Sequence, residues 1–158
     1  MNSPLVFFLA FAIGVVAGLR TFTAPAALVW ALHLHWISLD GTRLAFLHSW
    51  AALIIFTLLA LIEFVGDQLP STPSRTKPAP LTFRIISGAF CGTAVALLGG
   101  QAMAVGAILG AVGAVVGAFG GYQLRTRSVK ALGMADFAVA IPEDLLAIVA
   151  GFLIFSRF

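Results

Sequence analysis

At 158 residues the chain is 61% hydrophobic and only 9% charged, with a mean hydropathy of +1.07 and a formal net charge of +3. Soluble domains carry roughly 25% charged residues, so this composition excludes an ordinary water-soluble domain and makes a bilayer the expected solvent. A single cysteine, Cys91, excludes an intramolecular disulfide and any CxxC metal or redox motif.

In a bilayer the backbone must satisfy its own polar groups, so the expected fold is all-α, a polytopic membrane helical bundle. The first segment, 4–20, reads as a retained span and not as a signal peptide, because residues 1–4 carry no Lys or Arg. The second, 24–39, is short and leaves a re-entrant or interfacial helix open. Trp36 and Trp50 flank the polar turn from Ser38 to Arg43, as interface aromatics do, before segment 44–66.

The stretch 68–80 carries Pro70, Pro73, Pro78 and Pro80 and reads as a stiff, non-helical linker. Segments 82–100, 102–124 and 139–156 follow, the last led by Pro142. The whole chain, 1–158, is thus expected to be one integral membrane domain of six transmembrane segments in two halves of three, one or two of them short or re-entrant. Arg20, Arg75, Lys77, Arg84, Arg125, Arg127 and Lys130 then fall on one side, against Arg43 and Arg157 on the other. That bias puts the basic loops in the cytoplasm and the protein in the cytoplasmic (inner) membrane.

The sparse charges carry the functional expectation. Arg20 ends segment one, and Thr21 or Thr23 is expected to cap the helix that Pro25 begins. Glu63 and Asp67 are four apart, on one face of segment three, at an end where the helix dipole disfavours them. Arg84 and Arg125 lie at matching depth, while Glu143 and Asp144 follow Pro142, where a first helical turn favours acids. Ionisable groups within spans mark ion or substrate sites, so Arg20, Glu63, Asp67, Arg84, Arg125, Glu143 and Asp144 form the expected site at the cytoplasmic helix ends. An ion-pair network that merely fixes those ends is the competing reading.

Glycines at small-xxx-small spacing, Gly14/Gly18, Gly88/Gly92 and Gly106/Gly110/Gly113/Gly117, mark close helix packing within the bundle, at an oligomer interface or along a pore. His33 and His35 are two apart and should point to different sides of a helix, so no shared metal is expected. No HExxH, GxSxG, Walker or Rossmann pattern occurs, and neither a catalytic set nor a cofactor is expected. Anionic lipid headgroups, not nucleic acid, suit the basic loops.

Gly18-Leu19-Arg20 followed by Pro25, Glu63-x-x-x-Asp67-x-x-Pro70, and the Arg84-to-Gly88 start of the next span together resemble an uncharacterised bacterial integral membrane family, domain of unknown function 4126. The resemblance covers most of the chain and implies a small multi-span helical protein, without an activity or a substrate. The residues themselves suggest a small membrane transporter or channel-like protein for a small solute or ion. The alternative is a non-transporting scaffold that docks partner helices through its glycine faces and binds anionic lipid.

Overall fold

The computed structural model describes residues 2–67, 75–132 and 136–158. Among these the fold is all-helical, with α1 (Ser3–Leu19), α2 (Thr23–His33), α3 (Trp50–Gly66), α4 (Pro78–Leu98), α5 (Met103–Leu132) and α6 (Asp136–Phe155). A short 3-10 turn, Ala45–His48, precedes α3, whose first turn is capped by Ser49 accepting the Ala52 amide at 3.2 Å.

The tightest packing joins α1, α4 and α5. Here the glycines let backbones touch. A methyl group added to Gly110 would collide with the Gly88 carbonyl, one on Gly14 with the Gly110 carbonyl, and one on Gly92 with the Gly106 carbonyl. Gly18, Gly113 and Gly117 meet backbone across the α1–α5 seam in the same way. All eight glycines of the small-xxx-small pattern therefore face this chain's own helices. The partner-docking and pore-lining uses considered for them do not match this placement.

Helix α2 differs from the expected segment 24–39. It has 11 residues, about 16 Å at 1.5 Å per residue, against the roughly 20 residues of a full span. It stops in a Schellman motif: the Trp36 amide bonds back to Ala31 O at 3.0 Å and the His35 amide to Leu32 O at 3.1 Å. His35 takes the left-handed position at φ 56°, where glycine is usual. The chain then folds inward, burying Ile37, Leu39 and Leu47. Packed against α1, α3, α4 and α6, α2 is a short helix held inside the bundle.

Three further boundaries differ from expectation. Residues 68–74 of the proline stretch lie outside the described residues, but Pro78 and Pro80 belong to the first turn of α4, where the missing N–H has no helical partner to lose. Helix α5 continues past 124 through the polar run Arg125 to Lys130. Helix α6 begins at Asp136, so Pro142 sits inside it and does not start it.

The outside of the bundle is apolar. Ile54, Ile55, Leu58, Leu61, Ile62 and Val65 stand exposed along α3, and Leu145, Leu146, Val149 and Leu153 along α6. Two helices, α4 and the Met103–Lys130 part of α5, are long and apolar enough to cross a membrane; α1 and α3 are shorter apolar helices.

Candidate functional site

The site grows from the break between α1 and α2. Arg20 leaves the helix in an extended conformation (φ −141°, ψ 115°), and Thr21 and Phe22 carry the chain into α2. Such a break exposes carbonyls at the end of one helix and amides at the start of the next, and burial requires that each find a partner. The partners come from other helices. Arg84 donates to Gly18 O at 3.0 Å and Leu19 O at 2.7 Å, and Ser87 Oγ donates to Thr21 O at 2.5 Å. Glu63 accepts the Thr21 amide at 2.7 Å and the Phe22 amide at 2.8 Å. A guanidinium thus meets the negative end of α1 and a carboxylate the positive end of α2.

This replaces the expected cap. Neither Thr21 nor Thr23 caps α2 with its side chain; the remote Glu63 carboxylate instead accepts the two amides, of Thr21 and Phe22, that lead into the helix. The Thr23 hydroxyl is instead buried with no hydrogen-bond partner, as is Nε of Arg84.

Arg20 is fully buried at the centre. Its Nη1 lies 2.5 Å from Asp67 Oδ2, its Nε donates to Asp144 Oδ1 at 2.7 Å, and its Nη2 contacts the same Asp144 oxygen off the hydrogen-bond direction. The Phe64 ring lies 5.5 Å from the Arg20 guanidinium carbon. Arg84 Nη2 approaches Glu63 and Asp67, each at 3.7 Å. Next to these five, Arg75 grips Glu143 through two hydrogen bonds of 2.5 and 3.0 Å, and Arg125 stands 3.9 Å from the same carboxylate.

The structure thus brings all seven residues singled out in the sequence into one layer. The layer does not lie at the ends of every helix. Arg84 is two turns inside α4, and Glu143 and Asp144 are two turns inside α6, beyond the reach of its N-terminal dipole. Their presence is explained by Arg20, Arg75 and Arg125. Arg75, Ser87 and Thr23 were missed as site residues. Ser87 had a usable signal, since it follows Arg84 by three positions and shares its helix face; Arg75, among the prolines, read only as a loop cation.

Among the described residues, formal charges in the layer are unevenly divided. The inner five comprise three carboxylates (Glu63, Asp67, Asp144) and two guanidinium groups (Arg20, Arg84), one formal negative charge in surplus. The outer three, Arg75, Arg125 and Glu143, are one positive charge in surplus.

At the other end of α2 lies a cavity of about 480 Å³, lined by Leu32, His35, Ser38, Asp40, His48 and Phe158 among others. His35 leaves the helix in a left-handed turn, and the His48 ring lies 5.1 Å from that of His33 and 5.6 Å from that of His35. Among the described residues no group of three or more His, Cys, Asp or Glu side chains is arranged to hold a metal ion.

A family model described as a domain of unknown function, DUF4126, matches residues 7–156, nearly the whole chain. The chain belongs to that family. No curated protein and no solved structure matches it. The DUF4126 match includes every residue of the charged layer, from Arg20 just after α1 to Asp144 on α6.

Proposed function

We propose that this chain is an integral membrane transporter that moves a proton or a monovalent cation, alone or with a small solute, past the buried helix α2. The observation that carries the reading is α2 itself, a half-length helix with a charged layer at its N-terminus and a polar vestibule at its C-terminus. Short or discontinuous helices with charges at their termini are the recurrent way to build a binding site in the middle of a bundle. Irregular backbone such as residues 34–49 is tolerated at membrane depth where it is packed in protein or lines a wet cavity.

Other features support the same reading. The exposed apolar faces of α3 and α6 suit hydrocarbon. Arg20, Arg75, Arg84 and Arg125 share one end, and Arg43 and Arg157 belong to the opposite one, which orients the charged layer toward the cytoplasm. In that orientation Lys77, Arg127 and Lys130 hold anionic headgroups. The surplus carboxylate of the inner five gives the exchangeable negative charge. Asp144 is its best site, because Arg20 is its ion-pair partner, whereas Asp67 is shared by Arg20 and Arg84, and Glu63 also holds two amides.

Motion has a physical basis too. The α1–α4–α5 trio is locked by backbone contact, while α3 meets α4 through side chains, the Phe56–Phe90 ring stack and the approach of Arg84 to Glu63 and Asp67. Helix α3, whose C-terminal end carries Glu63 and Asp67, is the element this reading expects to shift against that frame.

Proteoliposomes loaded with a pH-sensitive dye, and given imposed H⁺, Na⁺ or K⁺ gradients, test the proposal. Flux above that of protein-free vesicles is expected for at least one of these ions, falling about tenfold or more in Asp144→Asn while the variant stays monodisperse. Absence of all three fluxes, or an undiminished flux in Asp144→Asn, overturns it.

A further inference from the structure

A cleft of about 150 Å³ opens on the side of the bundle between α3 and α6, with α2 as its floor. Its walls are mostly apolar: Ala26, Ala27, Leu61, Phe64, Ile148 and Phe152. At one end Trp30 Nε1 donates to Thr57 Oγ1 at 3.0 Å, so both polar groups there are satisfied. Thr23 also lines the cleft. It is only 4% exposed, and its hydroxyl has no partner. An unsatisfied buried hydroxyl is costly, which marks this as a place where a polar group is missing from the chain's own set.

Helix geometry places charge beside it. Asp67 follows Phe64 by three residues on α3, and Asp144 precedes Ile148 by four on α6, so each carboxylate lies on the same helix face as a cleft-lining residue. Phe64 separates the cleft from Arg20. Formally, Arg84 balances Glu63 and Arg20 balances one of the two aspartates, which leaves the surplus negative charge on the Asp67–Asp144 pair.

We infer that this cleft binds a lipophilic monovalent organic cation, entering from the apolar flank of the bundle. Its chain lies against Ala26, Ala27 and Ile148, and its charged head reaches Thr23 and the Asp67–Asp144 pair. Each part of the site selects for that class. Apolar walls accept the chain, the aromatic rings of Trp30, Phe64 and Phe152 favour a cation over an anion, and the surplus charge is neutralised by one positive head. The inference rests on the transport reading and names its substrate class. The head takes up the same surplus charge as a proton would, so the cation and a proton compete for the site.

The test uses purified protein in nanodiscs, with hexyltrimethylammonium as probe, hexanesulfonate and hexanol as controls, and empty nanodiscs as blank. Saturable binding of the ammonium compound alone is expected, weakened about tenfold or more in Asp144→Asn and in Ala26→Trp, which fills the cleft floor. Leu124→Trp, on the outer face of α5, keeps wild-type binding and shows that added bulk alone is not the cause. Equal binding of all three probes, no binding above the blank, or full binding in Ala26→Trp overturns the assignment. Ion flux without ammonium binding overturns the substrate class and leaves the transport reading standing; ammonium binding without any ion flux supports the site and overturns the transport reading.

Discussion

Replacing Arg20 with methionine is expected to destabilise the bundle by about 3–5 kcal/mol, the usual consequence of removing one partner from a buried ion pair. Arg20 is fully buried and holds Asp67 and Asp144 from α3 and α6 at the same time. Without it the surplus of the inner layer rises from one negative charge to two, and both aspartates lose their shared partner. The thermal midpoint in detergent should fall by about 6–20 °C. Arg20→Lys should recover little, because a single ammonium cannot replace a guanidinium that meets two carboxylates with different nitrogens. Adding Asp144→Asn to the methionine variant should recover part of the loss, since it removes one of the stranded charges. A wild-type midpoint for Arg20→Met would show that the layer is not held by this bridge.

Gly110→Leu is expected to abolish assembly of the chain altogether. Gly110 sits at the crossing of α1, α4 and α5, where a Cβ would run into the Gly88 carbonyl and approach Gly92 Cα at 3.1 Å. The obstacle is backbone on a neighbouring helix, so no rotamer change relieves it, and overpacking of this kind forces the helices apart. Gly120→Ala on the same helix is the matched control, because an added methyl there meets nothing within 4 Å. The yield of monodisperse protein should drop to background for Gly110→Leu and stay near wild type for Gly120→Ala. Equal yields would mean that the trio is not packed through this seam.

How much of this could be read from the chain depends on the range of the interactions involved. Helices α1, α3, α4 and α5 were visible because long apolar runs need no partner to be recognised. The length of α2 was not. Its end is a Schellman motif built on His35, and the usual glycine that announces such a stop is absent. Proline misled twice in opposite directions. Pro78 and Pro80 looked like linker but occupy a first turn, which needs no amide hydrogen; Pro142 looked like a helix start but lies inside α6, where the surrounding bundle tolerates it.

In the layer, charge in so apolar a chain pointed to Arg20, Glu63, Asp67, Arg84, Arg125, Glu143 and Asp144. Their division of labour could not be read. That Glu63 caps α2 across 42 residues of sequence, and that Arg84 caps α1 across 66, are facts of tertiary structure alone. The same holds for Thr23, whose hydroxyl looked like a cap and is instead the unpartnered polar group of a lateral cleft.

In the proposed transporter, α2 separates a polar vestibule on one side of a membrane from a charged layer on the other. Two-sided labelling with a membrane-impermeant thiol reagent, in a Cys91→Ser background carrying Ser38→Cys or Ser128→Cys, decides whether it does. The cysteine at 38 is expected to react from outside the cell and the cysteine at 128 from the cytoplasm. Labelling of both from the same side would contradict it, because the vestibule and the charged layer would then face one compartment and α2 would separate nothing.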